Sequence, residues 1–442
     1  MRVDIEQATT EADRAAAIPP ATRVQRGGMF AALVQRNYRT YLTGSFVSNV
    51  GTWMQRVAQD WLVLELSGGS GIAVGITTGL QFLPMLLLSP YGGVIADRFN
   101  KRQILKVTQS WLALCALALG ILAITGVATT EQVYLIAFAF GLGTAFDNPA
   151  RQSFISEVVG TDHLPNAIGL NSATFHAARI VGPALAGLVI AQVGSGWAIL
   201  SNALSYLAFI IALLIMDGRL LHTVSPRPRA KRQLREGLAY VRSSPDILLV
   251  MCVVFFVGTF GLNFTMTTAL MAQQEFHRSA QAYGILGTLL AVGSLVGALI
   301  AARRRTRPHP QFVVGMAVIF GIVEIATGLA PSYLTFAAAL PLMGLVTLLT
   351  LTAANASIQL GVGAGLRGRV MALYIMVLMG GTPIGAPMLG WLAEAMGPRW
   401  TLIGGGAATV IGVLVSVAVL RSRFRRAHSR GVEVIDAKCR HS

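Results

Sequence analysis

Asn49, Trp53, Arg56 and Asp60 follow one another at offsets of four, three and four. On a helix that spacing gathers all four within roughly a 60° sector of one face. A carboxyl and a guanidinium one turn apart can neutralise each other as an i,i+4 pair, or the carboxyl can take up and release a proton. Both readings of Asp60 stand open at this level. His176 and Arg179 are three apart and share a second face. Arg179 needs an anionic partner, for which Asp60, Asp147 or an anionic ligand qualifies. His176 can change charge near neutral pH or serve as a hydrogen-bonded structural histidine. Asn263, Thr347, Thr350 and Asn355 add hydrogen-bonding groups, and Trp53, Trp61 and Phe82 suit a bulky, partly apolar ligand.

The elements that hold these groups are membrane spans. Of 442 residues, 54% are hydrophobic and 12% charged, about half the ~25% charge of ordinary globular chains. Apolar runs of spanning length predict twelve helices over 41–64, 72–95, 104–126, 132–149, 166–192, 197–216, 246–271, 281–302, 311–330, 333–356, 370–393 and 400–420. Ionisable groups inside such spans mark function, because each is costly there unless paired or wet. The net charge of +16 raises the question of nucleic acid, and its distribution answers against it. With the N-terminus inside, only Arg278 and Arg399 fall in outer loops, and nearly every other basic residue falls in inner segments. Residues 1–40 read as a cytosolic tail without a signal peptide, and 421–442 as a basic cytosolic tail. Cys115, Cys252 and Cys439 are too scattered for a disulfide framework or a metal site.

The spans divide six and six about a basic linker at 217–245, giving bundles at 41–216 and 246–420. A shift of 203 superposes Gly141 on Gly344, Gly182 on Gly385, Gly187 on Gly390, Gly194 on Gly397 and Trp197 on Trp400. That is the trace of a duplicated unit. Between spans two and three lies a charged knot, Gly93-Val-Ile-Ala-Asp97-Arg98-Phe-Asn-Lys101-Arg102. Its glycine permits close helix approach, and its charges can cap helix ends. No lysine follows a glycine, so a phosphate-cradling loop is absent from the sequence. Neither His-Glu-x-x-His nor Gly-x-Ser-x-Gly occurs, which argues against a membrane hydrolase.

With these words on the page, the chain resembles the major facilitator superfamily over residues 30–420. Within it the chain is similar to the branch of the enterobactin exporter and related drug or siderophore efflux proteins. The knot matches that superfamily's loop between helices 2 and 3, with Asn100 in place of a glycine. The branch likeness rests on Asn37-Tyr-Arg-Thr-Tyr41, on Gly51-Thr-Trp-Met-Gln-Arg-Val-Ala-Gln-Asp60, and on Asp147-Asn-Pro-Ala-Arg-Gln-Ser-Phe. It rests also on Leu170-Asn-Ser-Ala and Ala178-Arg-Ile-Val-Gly-Pro-Ala-Leu-Ala-Gly187. The resemblance implies an all-α integral membrane fold of twelve helices in two pseudo-symmetric six-helix bundles. It implies that the knot locks an outward-facing state, with Asp97 capping helix 11 near Arg369 and with Arg98, Arg102 and Asp147 in one relay. Gly182, Pro183 and Gly187 resemble the bend of proton-coupled exporters, while Glu324 falls on a usually peripheral helix. The expectation is a monomeric, multi-pass carrier of the cell membrane. It would have cytoplasmic termini, a small-molecule substrate, the lipid bilayer as surroundings, no cofactor and a proton gradient as energy source. A phospholipid or metabolite carrier, or a channel or receptor, are the alternatives.

Overall fold

The computed structural model describes residues 30–222, 233–304 and 306–439. The predicted tail through residue 29, the linker centre at 223–232, Arg305 and residues 440–442 lie outside the described residues. The described chain is helical. In order come α1 (Arg36–Leu66), α2 (Gly71–Arg98), α3 (Lys101–Ile124), α4 (Thr130–Val159), α5 (Leu164–Val193) and α6 (Ser195–Ile215). A short linker helix, α7 (Gln233–Ser243), leads to α8 (Pro245–Phe256), α9 (Phe264–Leu270), α10 (Ala280–Ala302), α11 (Pro310–Gly328), α12 (Tyr333–Gly361), α13 (Ala364–Gly380), α14 (Thr382–Met396) and α15 (Arg399–Cys439). Ten helical stretches among the described residues are long and apolar enough to cross a membrane. The other two predicted spans fall in α1 and α4, which carry Arg56 and Asp60 and, respectively, Asp147, Arg151 and Glu157.

Three readings of the sequence need correction. Residues 30–40, assigned to the tail, are folded: α1 begins at Arg36, and Asn37, Tyr38 and Tyr41 are buried. The seventh span is interrupted by a π-turn at Val257–Gly261 and resumes at Phe264. The eleventh breaks at Gly381, where a glycine pair meets Pro383, which has no N–H to donate. The two interruptions face each other, since a Cβ on Gly381 would lie 2.8 Å from the Thr259 Cα.

The duplicated glycines explain the two-fold arrangement. Gly182 of α5 lies against Val50, Trp53 and Met54 of α1, and its counterpart Gly385 lies against Thr259 in the seventh span. Gly141 of α4 meets Gln81 and Pro84 of α2, whereas Gly344 of α12 meets Leu290 and Ser294 of α10. Gly194 and Gly397 end α5 and α14 at φ of 93° and 100°, a backbone that side chains resist. Gly141 and Gly344, and Gly182 and Gly385, therefore each touch the equivalent helix in their own half.

The Asn37-Tyr-Arg-Thr-Tyr41 segment ties the start of α1 to the end of α6. The Asn37 amide donates to the Asp217 carbonyl at 2.9 Å and accepts from the Asp217 N–H at 3.0 Å. Tyr38 donates to the Ala167 carbonyl at 2.7 Å, and Tyr41 packs edge-on against Phe154 and Phe209. Asn37→Ala strands both backbone groups of Asp217, so stability should fall by ~1–3 kcal/mol, read as a lower apparent Tm in detergent. Asn37→Asp keeps the acceptor alone and should fall between the two.

Candidate functional site

Where the halves meet, the seam is built from backbone. Gly71, Gly75 and Gly79 recur every fourth residue on α2 and lie against Pro383, Ala386, Pro387 and Gly390 of α14. A Cβ on Gly75 would sit 2.5 Å from the Ala386 carbonyl oxygen, and one on Gly71 2.8 Å from that of Gly390. The pseudo-equivalent seam joins α5 to α10, where a Cβ on Gly187 would come within 3.0 Å of the Ala280 carbonyl oxygen, and Gly284 lies against Pro183 and Gly187. Small residues at fourth positions let membrane helices approach to backbone contact. Pro183 leaves the Arg179 carbonyl without its helical donor, and one residue on, Thr288 of α10 donates to the Ile180 carbonyl at 3.1 Å.

Hydrogen bonds between the halves gather toward the end of the molecule that is poor in basic residues. The Glu394 carboxylate of α14 accepts from the Ser70 hydroxyl at 3.0 Å and from the Ile72 N–H at 3.3 Å. An anion thereby sits at the N-terminus of α2, where helix geometry favours it. Gln274 donates to the Gly69 carbonyl. Deeper, the Tyr283 hydroxyl of α10 lies 3.3 Å from Asp60 Oδ2 of α1 and 3.0 Å from the Thr265 carbonyl of α9. The Trp61 ring stacks on that of Tyr283 with centroids 6.1 Å apart.

Asp60 is 6% exposed and meets Tyr283 rather than Arg56; the i,i+4 relation does not close into an ion pair. Arg56 and Arg179 instead converge on one indole, their guanidinium carbons 4.7 and 5.3 Å from the Trp53 ring centroid. Phe82 of α2 and Phe175 of α5 complete the surround. His176 is half-buried against Phe175 and makes no hydrogen bond among the described residues. The expected structural histidine is thus held by ring contact alone. Asn49 makes a long 3.5 Å bond to Ser45. Asn263 is buried and donates to the Thr259 carbonyl, its own oxygen unpartnered, and Asn355 is half-buried on α12.

At the basic end the implied relay has different partners. Asp147 accepts from Thr108 at 2.8 Å, Gln109 at 2.7 Å and Arg151 at 3.1 Å, so its cation is Arg151 and not Arg98 or Arg102. Arg102 donates to the carbonyls of Leu213, Leu214 and Met216 at the end of α6. Lys101 pairs with Glu157 at 2.5 Å. Asp97 and Arg98 end α2, both exposed, and Arg369 pairs with Glu236 of the linker helix. The close approach in the knot is made by Gly92, against Ala145 and Pro149, one residue before the half-buried Gly93. Tyr283, Glu394 and the Gly71-x-x-x-Gly75-x-x-x-Gly79 stripe escaped the sequence reading. The stripe alone carried a sequence signal, its four-residue period.

A family profile described as "transmembrane secretion effector" matches residues 27–435. The staphyloferrin A transporter of Staphylococcus aureus is 23% identical over 383 residues, covering 85% of this chain and 94% of the relative. The enterobactin exporter of Escherichia coli is 22% identical over 400 residues, 88% of this chain and 93% of the relative. Among solved structures, a nucleoside transporter superposes with a TM-score of 0.70 at 13% identity, covering 87% of this chain and 98% of that one. A bacterial homologue of ferroportin, in an inward-facing state, reaches 0.66 at 15% identity over 87% and 98%.

A side chain at Gly75 must wedge α2 from α14. Overpacking of ~1–3 kcal/mol should shift the closed seam toward open by roughly tenfold. With native cysteines replaced and Ala280→Cys as reporter, Gly75→Val should raise labelling by an impermeant maleimide by about that factor. Gly169→Val, at a glycine with open space around it, should leave labelling unchanged.

Proposed function

The chain belongs to the transmembrane secretion effector family of the major facilitator superfamily, and from that premise we propose that it exports a small molecule across the cytoplasmic membrane by proton-coupled alternating access. It is a membrane transporter of small molecules and not an enzyme. The finer reading concerns direction, coupling and the groups that carry them. The relatives that carry siderophores favour a siderophore, drug or other amphipathic metabolite as cargo. We place the basic end in the cytoplasm, with both termini, and divide the chain into bundles at 41–216 and 246–420 about the 217–245 linker, twelve spans in all.

The observation that carries this reading is the bond between Asp60 of one half and Tyr283 of the other. The Tyr283 hydroxyl has one proton and two acceptors around it, Asp60 Oδ2 and the Thr265 carbonyl. Both contacts become hydrogen bonds at once when Asp60 carries a proton and donates to the hydroxyl, which then donates to Thr265. Loss of that proton leaves a carboxylate and a carbonyl competing for one donor, so the two contacts can no longer both be hydrogen bonds. A proton on Asp60 thus favours the conformation closed at the outer end, and cargo binding shifts the same equilibrium only by its unequal affinity for the two states. The glycine seams, Glu394 on the α2 N-terminus and the bend at Pro183 support the same picture of halves that part as rigid bodies.

In everted vesicles with an imposed pH gradient, assayed against siderophores and amphipathic dyes, Asp60→Asn should lose gradient-driven accumulation of any cargo the wild type moves. It should retain cargo-for-cargo exchange, because the seam can still open and close. Tyr283→Phe should weaken the coupling without abolishing exchange. Undiminished gradient-driven flux in Asp60→Asn would remove Asp60 from the coupling step.

A further inference from the structure

We propose that Arg56 and Arg179 are the anion-recognising centre of the cargo site, receiving a carboxylate of an organic anion between their guanidiniums. The assignment deepens the carrier reading and rests on it. Both guanidinium carbons lie over the single ring of Trp53, at 4.7 and 5.3 Å from its centroid. They are therefore no farther apart than those two lengths laid end to end. Both side chains are half-buried, and two like charges so close within a membrane bundle are costly unless an anion or water meets them. Among the described residues no carboxylate reaches ion-pair distance of either guanidinium, and Asp60, one turn from Arg56, bonds to Tyr283. Neither side chain forms an ion pair or hydrogen bond among the described residues, and the Arg56 Nε is buried with no acceptor.

The groups around the pair leave the position open to an anion. On α1, Asp60 is one turn beyond Arg56 and engaged with Tyr283. On α5, His176 is one turn before Arg179 and stacks against Phe175. From α2 comes only the ring of Phe82, 5.8 Å from Arg56. Asp147, the other carboxylate that could have served Arg179, is taken by Arg151, Thr108 and Gln109. A site with two cations, three aromatic rings and no free carboxylate repels a cationic ligand. The same site suits an anion with an apolar or flat body.

Arginine, moreover, presents a planar fork that matches a carboxylate through paired hydrogen bonds, which a lysine at either position would not. The two forks lie on different helices, α1 and α5, both of which border the seam. Both helices belong to the first half, so a carboxylate bridging them is held by that half alone and travels with it as the halves part.

The test uses the full-length protein in nanodiscs without any gradient, with citrate as the carboxylate probe, tetraphenylphosphonium as the aromatic cation and inorganic phosphate as the competing oxyanion. Calorimetry should show citrate binding that Arg56→Gln and Arg179→Gln each weaken by at least ~10-fold, with Arg179→Lys intermediate. Trp53→Phe, which keeps an aromatic face, should weaken citrate binding less than the glutamine variants do, while removing the tryptophan fluorescence change that accompanies it. Should the glutamine variants not fold, Arg179→Lys and Trp53→Phe carry the test alone. Citrate affinity that is unchanged in the arginine variants, a fluorescence change that survives Trp53→Phe, or tighter binding of the phosphonium or of phosphate would each overturn the assignment. Intact citrate binding with no flux of any cargo would leave the anion site standing and remove the carrier reading instead.

Discussion

The absence of side chains along two helix seams is the constraint on which the rest of the structure depends. Lipid offers no hydrophobic drive for helices to associate, so contact must come from close packing and from polar groups that find one another. Gly71, Gly75 and Gly79 against α14, and Gly187 and Gly284 across α5 and α10, bring backbones into direct contact. That proximity sets Glu394 on the α2 N-terminus and lets the Tyr283 hydroxyl reach Asp60. Widen either seam by one methyl group and those polar contacts lose their geometry together. A joint of this kind has few intermediate positions, which is what a two-state carrier requires.

The halves share a backbone plan but not a charge plan. At the shift that superposes the glycines, Arg56 corresponds to Thr259 and Asp60 to Asn263. The first half thus carries the ionisable pair, and the second carries neutral polar groups on a helix interrupted by a π-turn. Thr259 and Asn263 each keep an oxygen without a partner, so the second half contributes acceptors where the first contributes charge. Such division concentrates the ionisable groups of the site on α1 and α5. Glu324 lies apart from them, buried at 1% exposure beside the π-turn.

Much of the fold was legible because its determinants are local in sequence. Apolar run length fixed where helices lie, and glycines repeated at 203 residues announced equivalent contacts that the structure then displays at Gly141 and Gly344, or Gly182 and Gly385. The site was legible only in part. The 4–3–4 spacing placed Trp53, Arg56 and Asp60 on one face, yet it could not reveal that Asp60 would find a tyrosine 223 residues away. Helical periodicity states which residues share a face and is silent on what stands opposite. For the same reason Arg56 and Asp60 looked like a pair, although Arg56 turns toward Trp53 and Arg179. The helix break at Val257–Gly261 was hidden because its residues are as apolar as the helix they interrupt.

The charges at the basic end acquire meaning from the state of the opposite end. Arg102 closes the C-terminus of α6, Lys101 holds Glu157 and Arg151 holds Asp147, so these bonds stay within one half and travel with it. Arg369 differs, because its partner Glu236 belongs to the linker helix, whose Gly237 packs against the arginine stem. By resemblance, Asp97 is expected to meet the start of that same helix, α13, when the molecule opens outward. In the arrangement seen here Glu236 of the linker helix pairs with that guanidinium. Through Glu236 and Gly237 the linker helix Gln233–Ser243 packs on the start of α13.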